Sequence, residues 1–444
     1  MVNLTGKDSY DTISGKKDLV MKDKVVHLGL FGLGTVGGGV IELLSRKKGK
    51  DHHKFVLEKI VVKHLDKKRP VPVPLYRLTT DPREILADPK IDTVVEVMGG
   101  IDPAKEIILE ALKRGKNVIT ANKALLAQAG SEIFKQALDS GCYLGVRASN
   151  IAAYRLVESL ISSPFQFEKL IGIFNGTCNY ILTEMEKKGE DFSPILKKAQ
   201  EIGYAEQNPS DDIDGYDTAH KLIVLLGLAL GYFPPLDSLF IEGIRRISHQ
   251  DIIFAKELGY RIKLLAIAKR EASELEARVH PALLPWGRGL ARLDGIENGV
   301  ELRDEVGVEI GMQAPGAGKY PTATAILEDL VSVARGRKLI YPQPKRYLAF
   351  KKMGKIKTKY YLRFNALDEA GVLAKISGIL GDHNISIKSV LQKGENKKPP
   401  GVVPVIILTH RAREDDIQDA LRKIDNLTIV RGKSLLIRVE QGIF

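Results

Sequence analysis

The sequence predicts a chain of mixed α/β and α+β class. It should hold a doubly wound parallel sheet, then an α+β unit, then a compact βαββαβ unit of ferredoxin-like order. Three observations carry this expectation. A short apolar strand at 25–30 runs into a glycine-rich turn, and strand-like and helix-like stretches then alternate as far as residue 150. Beyond 150 the alternation gives way to longer helical stretches with scattered strands. From 358 onward the pattern reads strand, helix, strand, strand, helix, strand. A chain of 444 residues is also too long for one compact core.

The elements follow in order. Val25-Val-His-Leu-Gly-Leu30 reads as a buried strand, and a helix is expected over 38–45. Further strands are expected at 60–62, 93–97 and 117–119, with helices at 103–114 and 131–140 between and after them. In the middle of the chain, 171–174 reads as a strand, and 180–188, 193–202 and 215–227 as helices. Alternating residues at 275–279 and 308–310 suggest further strands. The last unit should run through strand 360–365, helix 371–383, strands 385–392 and 402–409, helix 415–424 and strand 435–439. The polar segment 395–401, with two prolines, reads as a hairpin loop. The chain thus divides into an N-terminal extension (1–24), a first unit (25–150, completed by about 315–340), a second unit (151–314), a linker (341–357) and a terminal unit (358–444).

Composition narrows the class. Hydrophobic and charged shares of 44% and 27% are ordinary for a soluble globular protein. No apolar run approaches the roughly 18 residues needed to span a bilayer. Residues 1–24 are polar and mixed in charge, without the apolar centre of a signal peptide. Cys142 and Cys178 show neither metal-ligand spacing nor a disulfide framework, so a cytoplasmic setting is expected and no metal site. The net charge is +12, part of it in the run from 345 to 359, which carries no acid. That run lacks a nucleic-acid reading motif, so it is expected to be a solvated linker, with neither nucleic acid nor membrane as a partner. A basic surface also steers anionic substrates and cofactors.

Gly32, Gly34 and Gly37 form G-x-G-x-x-G between a strand and a helix. The first glycine permits the tight turn, the second the approach of a pyrophosphate, and the third close packing of helix on strand. The helix N-terminus then offers free N–H groups to the anion. This is the dinucleotide signature of the Rossmann fold. NAD binders usually carry Asp or Glu after the second strand; here Val62-Lys63-His64 is followed by Lys67, Lys68 and Arg69. Unless they merely face solvent, such basic residues suit the 2′-phosphate of NADP(H), which is favoured over NAD(H), and Lys63 is the leading candidate.

Three clusters could carry chemistry. Thr120-Ala-Asn-Lys123 ends a strand of the first unit, where ligands of open α/β sheets bind. Asn175-Gly-Thr-Cys-Asn-Tyr180 either lines a site or caps a helix. Gly203-Tyr-Ala-Glu206 precedes Asp212-Ile-Asp-Gly-Tyr-Asp217, and Asp217 and Lys221 are four apart on one helix face. Taken singly, each is explained by a surface lysine, a cap or an i,i+4 ion pair. Together, one lysine able to exchange a proton and two acids able to hold an ammonium match the oxidation of an amino alcohol.

These segments, with Glu96-Val-Met-Gly-Gly100, Pro315-Gly-Ala-Gly318 and Pro321-Thr-Ala323, resemble the homoserine dehydrogenases, in that family's order across about 25–335. The tail beyond 357 resembles an ACT domain, a fold that binds amino acids. The resemblance implies interconversion of L-homoserine and L-aspartate 4-semialdehyde on the route to threonine and methionine. It implies that Lys221 is the proton donor and acceptor, with Lys123 at cofactor and substrate. Glu206 and Asp217 would bind homoserine, with Asp212 and Thr177 nearby. The cofactor would lie against Gly32, Leu33, Gly34, Thr35, Val36, Gly37, Lys63, Gly99, Thr120, Lys123, Gly203 and Gly318. The resemblance further implies a homodimer or homotetramer and feedback by an amino-acid effector, threonine being the expected one.

One departure stands out. The family usually carries Glu-Ala-Ser/Thr-Val and a glycine-rich run ending in proline, whose glutamate and nearby carbonyls hold a monovalent cation, typically sodium. Here the run is Arg147-Ala-Ser-Asn-Ile-Ala-Ala-Tyr-Arg155. A guanidinium has no acceptor lone pair, so the sodium site is expected to be lost, with the charge of Arg147 standing in for it. The departure, together with the ACT-like tail, keeps open a binding regulator of nucleotide and amino acid with little turnover; a dehydrogenase for another amino acid is a third reading.

Overall fold

The computed structural model describes residues 25–46, 54–150, 165–316, 318–337, 348–393 and 401–444. The expected N-terminal extension, the run after Asn150, the first half of the linker and most of the 395–401 loop lie outside the described residues. No helix of the described residues is long and apolar enough to cross a membrane.

The first sheet contains β1 (Val25–Phe31), β2 (Lys54–Val61), β3 (Leu78–Thr79), β4 (Thr93–Glu96), β5 (Asn117–Thr120) and β6 (Leu144–Gly145). Their order is β3-β2-β1-β4-β5-β6, with every pairing parallel. That is the doubly wound order whose chain direction reverses between β1 and β4, opening a crevice at their carboxyl ends. The central strands β1 and β4 are mostly apolar and buried because helices cover both faces. One of these, Lys319–Ala334, returns from late in the chain and packs Ala323, Ile326, Leu330 and Val333 against Val26, Leu28 and Leu30 of β1.

Two helices begin earlier than the pattern suggested. The first runs Thr35–Ser45 rather than 38–45, because its opening turn is rich in glycine and hides its propensity. The helix expected at 131–140 runs Lys123–Asp139 and is capped by Asn122, whose side chain accepts from Leu125 N at 3.1 Å. Lys123 therefore opens a helix at the end of β5.

The second sheet joins nine strands in one path. In spatial order they are Glu309–Pro315, Glu297–Asp304, Phe167–Ile173, Tyr260–Glu271, Glu274–Pro285, Leu435–Val439, Lys357–Leu367, Val402–Thr409 and Ile387–Gln392. The last four follow the ferredoxin-like order 4-1-3-2 with antiparallel pairing. They meet the middle unit through a parallel pairing, Ala282 with Arg438 and Leu283 with Val439.

The alternation at 275–279 is real, but its polar face is not solvated. Leu275, Ala277 and Val279 join the main core, while Glu276 and Arg278 are also buried. Arg278 pairs with Glu276 at 2.6 Å and with Glu440 from the terminal unit. Arg438 reaches the other way, to Glu242 at 2.8 Å and Glu414 at 2.6 Å. Buried charges persist only when paired in this manner.

The linker expectation needs correction. Ala349–Phe350 pairs with Glu274 and Leu275, Ile356 is buried, and Lys357 already belongs to a strand. The second half of the lysine-rich run is therefore structured. Its lysines alternate with residues that complete the sheet edge and the core, which a charge count does not register.

Candidate functional site

The crevice at the ends of β1 and β4 holds a cavity of about 1140 Å³. Gly32, Leu33, Gly34 and Thr35 line one side, Val97, Met98 and Gly99 another. Gly32 has φ +101°, and a Cβ there would fall 2.7 Å from the Val97 carbonyl oxygen. At Gly37 a Cβ would fall 2.3 Å from the Gly32 oxygen, so β1 and the helix can approach only through this glycine. The first N–H groups of Thr35–Ser45 have no side-chain cap. This cradle fits the pyrophosphate of a dinucleotide. Lys63, Lys67, Lys68 and Arg69 line the outer end, and none of the lining residues is an acid among those described.

The loop after β4 is held from below. Glu96, fully buried, accepts from Met98 N at 2.8 Å, from Gly99 N at 3.3 Å and from the Thr120 hydroxyl at 2.6 Å. The Thr120 hydroxyl is thus committed to fixing β4 against β5. Asn122 adds a bond from its side-chain amide to Gly100 O at 2.5 Å.

Next to this loop stands a polar array shared by both units. Lys123 Nζ lies 3.1 Å from Asp217 Oδ1, and Lys221 Nζ lies 2.8 Å from Asp217 Oδ2. Lys221 also donates to Phe174 O at 2.6 Å. The Asn175 amide donates to Asp217 Oδ2 at 2.9 Å and to Asp212 Oδ1 at 2.6 Å, while its oxygen accepts from Cys178 N at 2.7 Å. Asn175 is therefore both the cap of helix Gly176–Lys188 and the strut of two carboxylates. Lys221 and Asp217 project from helix Tyr216–Leu230, whose stretch from Leu222 to Leu228 is apolar and buried.

The electrostatics follow from burial and proximity. Burial alone would raise the Asp217 carboxyl, but Lys221 and Lys123 pull it well below the usual carboxylate range. Asp217 in turn raises Lys123. Burial, with Asp217 nearby, raises Asp212. Two carboxylates of different proton affinity thus stand within reach of two amines.

The structure brings Lys123, Asp212, Asp217 and Lys221 together. Thr177 sits on the neighbouring helix turn and donates from Oγ1 to Tyr204 O at 2.9 Å, so it anchors the 203–206 turn. Tyr180 and Tyr204 add an edge-on ring contact with centroids 5.0 Å apart. Gly203 takes φ +79° in that turn, and Glu206 stands exposed with its backbone carbonyl bonded to Gln200. Val36 lies in the first helical turn, and Gly318 precedes helix Lys319–Ala334. Sequence reasoning left Asn175 open between lining a site and capping a helix, and it does both; the role of Glu96 it missed. Both lie inside motifs it had marked, but a lone Asn or Glu carries no signal of what it holds.

Arg147 is buried in the first unit. It pairs with Asp329 of helix Lys319–Ala334, its backbone N–H donates to Asp329 Oδ2 at 3.1 Å, and its Nη1 donates to Tyr143 OH at 2.9 Å and Ser332 Oγ at 3.2 Å. Tyr143 donates to the same carboxylate at 2.8 Å.

Three family models match the chain: the NAD-binding domain of homoserine dehydrogenase over 32–147, homoserine dehydrogenase over 155–331, and the ACT domain over 360–427. Homoserine dehydrogenase from Pseudomonas aeruginosa is 38% identical, with 94% of this chain and 99% of that protein covered. The Bacillus subtilis homoserine dehydrogenase is 35% identical at the same coverage. A crystal structure of a homoserine dehydrogenase from Thiobacillus denitrificans superposes with a TM-score of 0.87 at 39% identity, covering 94% of this chain and 99% of that one. With a nucleotide cradle, an amine–carboxylate array beside it and a terminal ACT domain, the chain belongs to the homoserine dehydrogenases.

Proposed function

We propose that this enzyme interconverts L-homoserine and L-aspartate 4-semialdehyde with NADP(H), and that Lys221 exchanges the proton at the substrate oxygen. The observation that carries this reading is the set of bonds at Lys221 Nζ. A neutral amine has two N–H donors and one lone pair. The donors are committed to Phe174 O and Asp217 Oδ2. The lone pair is then left to receive the hydroxyl proton of homoserine, and the third N–H of the charged form returns it to the aldehyde oxygen. The bound cofactor supplies the hydride acceptor. Lys123, at the border of the two units, orients the same carboxylate and faces both ligands. Asp212, Asp217 and Glu206 offer carboxylates to the substrate ammonium, with Thr177 steadying the Glu206 turn.

Lys63, Lys67, Lys68 and Arg69 support preference for NADP(H), since a 2′-phosphate needs cations at the end of the ribose. The remaining cofactor contacts are assigned to residues 32–37, Gly99, Lys123, Gly203 and Gly318, with Thr120 acting through Glu96. The domain boundaries proposed are 25–150 with 315–340, 151–314, and 358–444; of the connection 341–357, the part from 348 onward packs on the middle unit. An amino-acid effector, threonine by preference, is assigned to the ACT domain, and a cytoplasmic homodimer or homotetramer to the whole.

The family's sodium site does not fit the described residues at Arg147. Its guanidinium offers no lone pair, and its charge is balanced by Asp329. The earlier expectation that this charge replaces sodium at the site is therefore revised: Arg147 neutralises a buried acid of its own unit. The reading as a regulator without turnover rested on Arg147 and on the ACT-like tail, and the pairing of Arg147 with Asp329 weakens the first of these.

The test is steady-state oxidation of L-homoserine with NADP, beside Lys221→Ala. Turnover should fall by about 10²- to 10⁴-fold in the variant, the usual share of a positioned acid–base group, while NADP binding is retained. Full activity of Lys221→Ala would overturn the assignment of the base. Inactivity of the wild type with homoserine, alongside turnover of another amino alcohol, would overturn the substrate.

A further inference from the structure

The Phe174 carbonyl that holds Lys221 has a second donor. Asn298, in strand Glu297–Asp304 and 1% exposed, donates from Nδ2 to Phe174 O at 2.8 Å. A carbonyl oxygen has two lone pairs, and Lys221 and Asn298 take one each. The other end of the amide is anomalous. Asn298 Oδ1 is buried and has no hydrogen-bond partner among the described residues. A buried orphan acceptor is destabilising, so its retention asks for a reason other than stability.

Further contacts hold the amide and its strand in place. Asn298 pairs in register with Ala314, just before Pro315 and Gly316. Gly316 lies directly against the amide: a Cβ there would fall 2.1 Å from Nδ2. The loop leading into the strand is tied by Asn179, whose amide donates to Leu293 O and Glu297 O at 3.3 and 3.1 Å. Buried Lys263 donates to Asn179 Oδ1 at 2.8 Å and to Leu293 O at 2.5 Å. The amide is thus pressed between Gly316 and the carbonyl that aims the proton-transfer amine.

We propose that Asn298 is a positioning residue for the reaction, which aims the Phe174 carbonyl and through it Lys221, with Gly316 leaving room for its amide. This rests on the assignment of Lys221 as the acid–base group. Misplacement of a reacting group by about 1 Å costs on the order of 10²-fold in rate, so loss of the Asn298 bond should act on kcat.

The experiment compares Asn298→Leu, Asn298→Asp and Gly316→Ala with the wild-type enzyme in kcat, KM, the pH profile of kcat, and melting temperature. Asn298→Leu removes the donor and the orphan acceptor together. It should lower kcat by about 10- to 100-fold, leave KM for NADP within about threefold, and leave the melting temperature equal or higher. A merely structural role would lower the melting temperature and spare kcat. Asn298→Asp places a carboxyl where the donor stood; it can donate to Phe174 O only when protonated, so its kcat should fall away from that of the wild type as pH rises. Gly316→Ala, which displaces the amide from outside, should also lower kcat. Superimposable pH profiles with unchanged kcat in all three variants would overturn the proposal. So would a melting-temperature loss in Asn298→Leu with kcat intact. Lys221→Ala separates the two readings. If it is inactive while the Asn298 variants match the wild type, only the present inference fails; if it is active, the assignment of the base fails and this inference with it.

Discussion

Lys123 and Asp217 meet across the boundary between the two sheets, Nζ to Oδ1 at 3.1 Å, although they are nearly a hundred residues apart in the chain. One carboxylate thus gathers an amine from the nucleotide unit and another, Lys221, from its own helix. Closing the substrate between the units and setting its protonation are therefore a single geometric task.

Replacing Asp217 by Asn should abolish most turnover and also destabilise the fold. Removing one member of a buried ion pair leaves its partners uncompensated, at about 3–5 kcal/mol. The pH dependence has a definite sign. Asp217 is depressed in the folded state, so its contribution is present above the unfolded carboxyl value of about 3.9 and is lost as pH falls through the folded value. Urea unfolding of wild type and variant should differ by a constant amount above about pH 5 and converge in strong acid. A difference that grows on acidification would contradict the pairing.

Lys63→Glu should invert the cofactor preference. A charge-assisted hydrogen bond contributes about 1.5–3 kcal/mol, so kcat/KM for NADP should drop about 10- to 100-fold while that for NAD changes little or rises. Equal losses with both cofactors would show that Lys63 does not read the 2′-phosphate.

Removal of alkali cations should leave turnover unchanged. In a buffer whose only cation is Tris, homoserine oxidation should match that in sodium or potassium salts, because the Arg147 guanidinium offers a cation no lone pair. Arg147→Met should destabilise the fold by about 3–5 kcal/mol through the stranded acid, and Asp329→Leu in the same chain should recover part of that loss. Strict dependence on sodium would disprove the cation reading.

Lys263 gives a second pH signature. Burial, aided by Arg261, lowers its ammonium to about 7. The unfolded chain holds this proton up to about pH 10.4, so between pH 7 and 10 the unfolded state binds more protons and stability rises with pH. Lys263→Met should flatten this rise in a series of urea midpoints. An unchanged slope would mean that another group sets it.

The nucleotide unit was legible because its signals are local. Gly32, Gly34 and Gly37 each meet a steric demand of one turn, and β1 is apolar because both its faces are covered. The Asp217–Lys221 pair was legible as a helix face, but its importance was not, since an exposed pair has the same spacing. What sequence could not supply were contacts set by tertiary packing alone. Asn175 and Glu96 act through bonds to residues tens of positions away. The start of the helix at Lys123 depended on a cap rather than on periodicity, and the structured lysines after Leu348 depended on a neighbouring strand. The buried face of Glu276 and Arg278 had the alternation of a solvated strand, and only Glu440 from the far end of the chain distinguishes the two.

The parallel pairing of Ala282 with Arg438 and of Leu283 with Val439 means that the ACT domain is not a pendant module. Its last strand is a seam, stitched on one side to the middle unit and on the other to its own first strand. A chain that stopped before Leu435 would tear both edges open at once, and the two units should melt in one transition. An effector settling on the far strands would act on a shared fabric, and its influence would reach the reaction as tension along the weave.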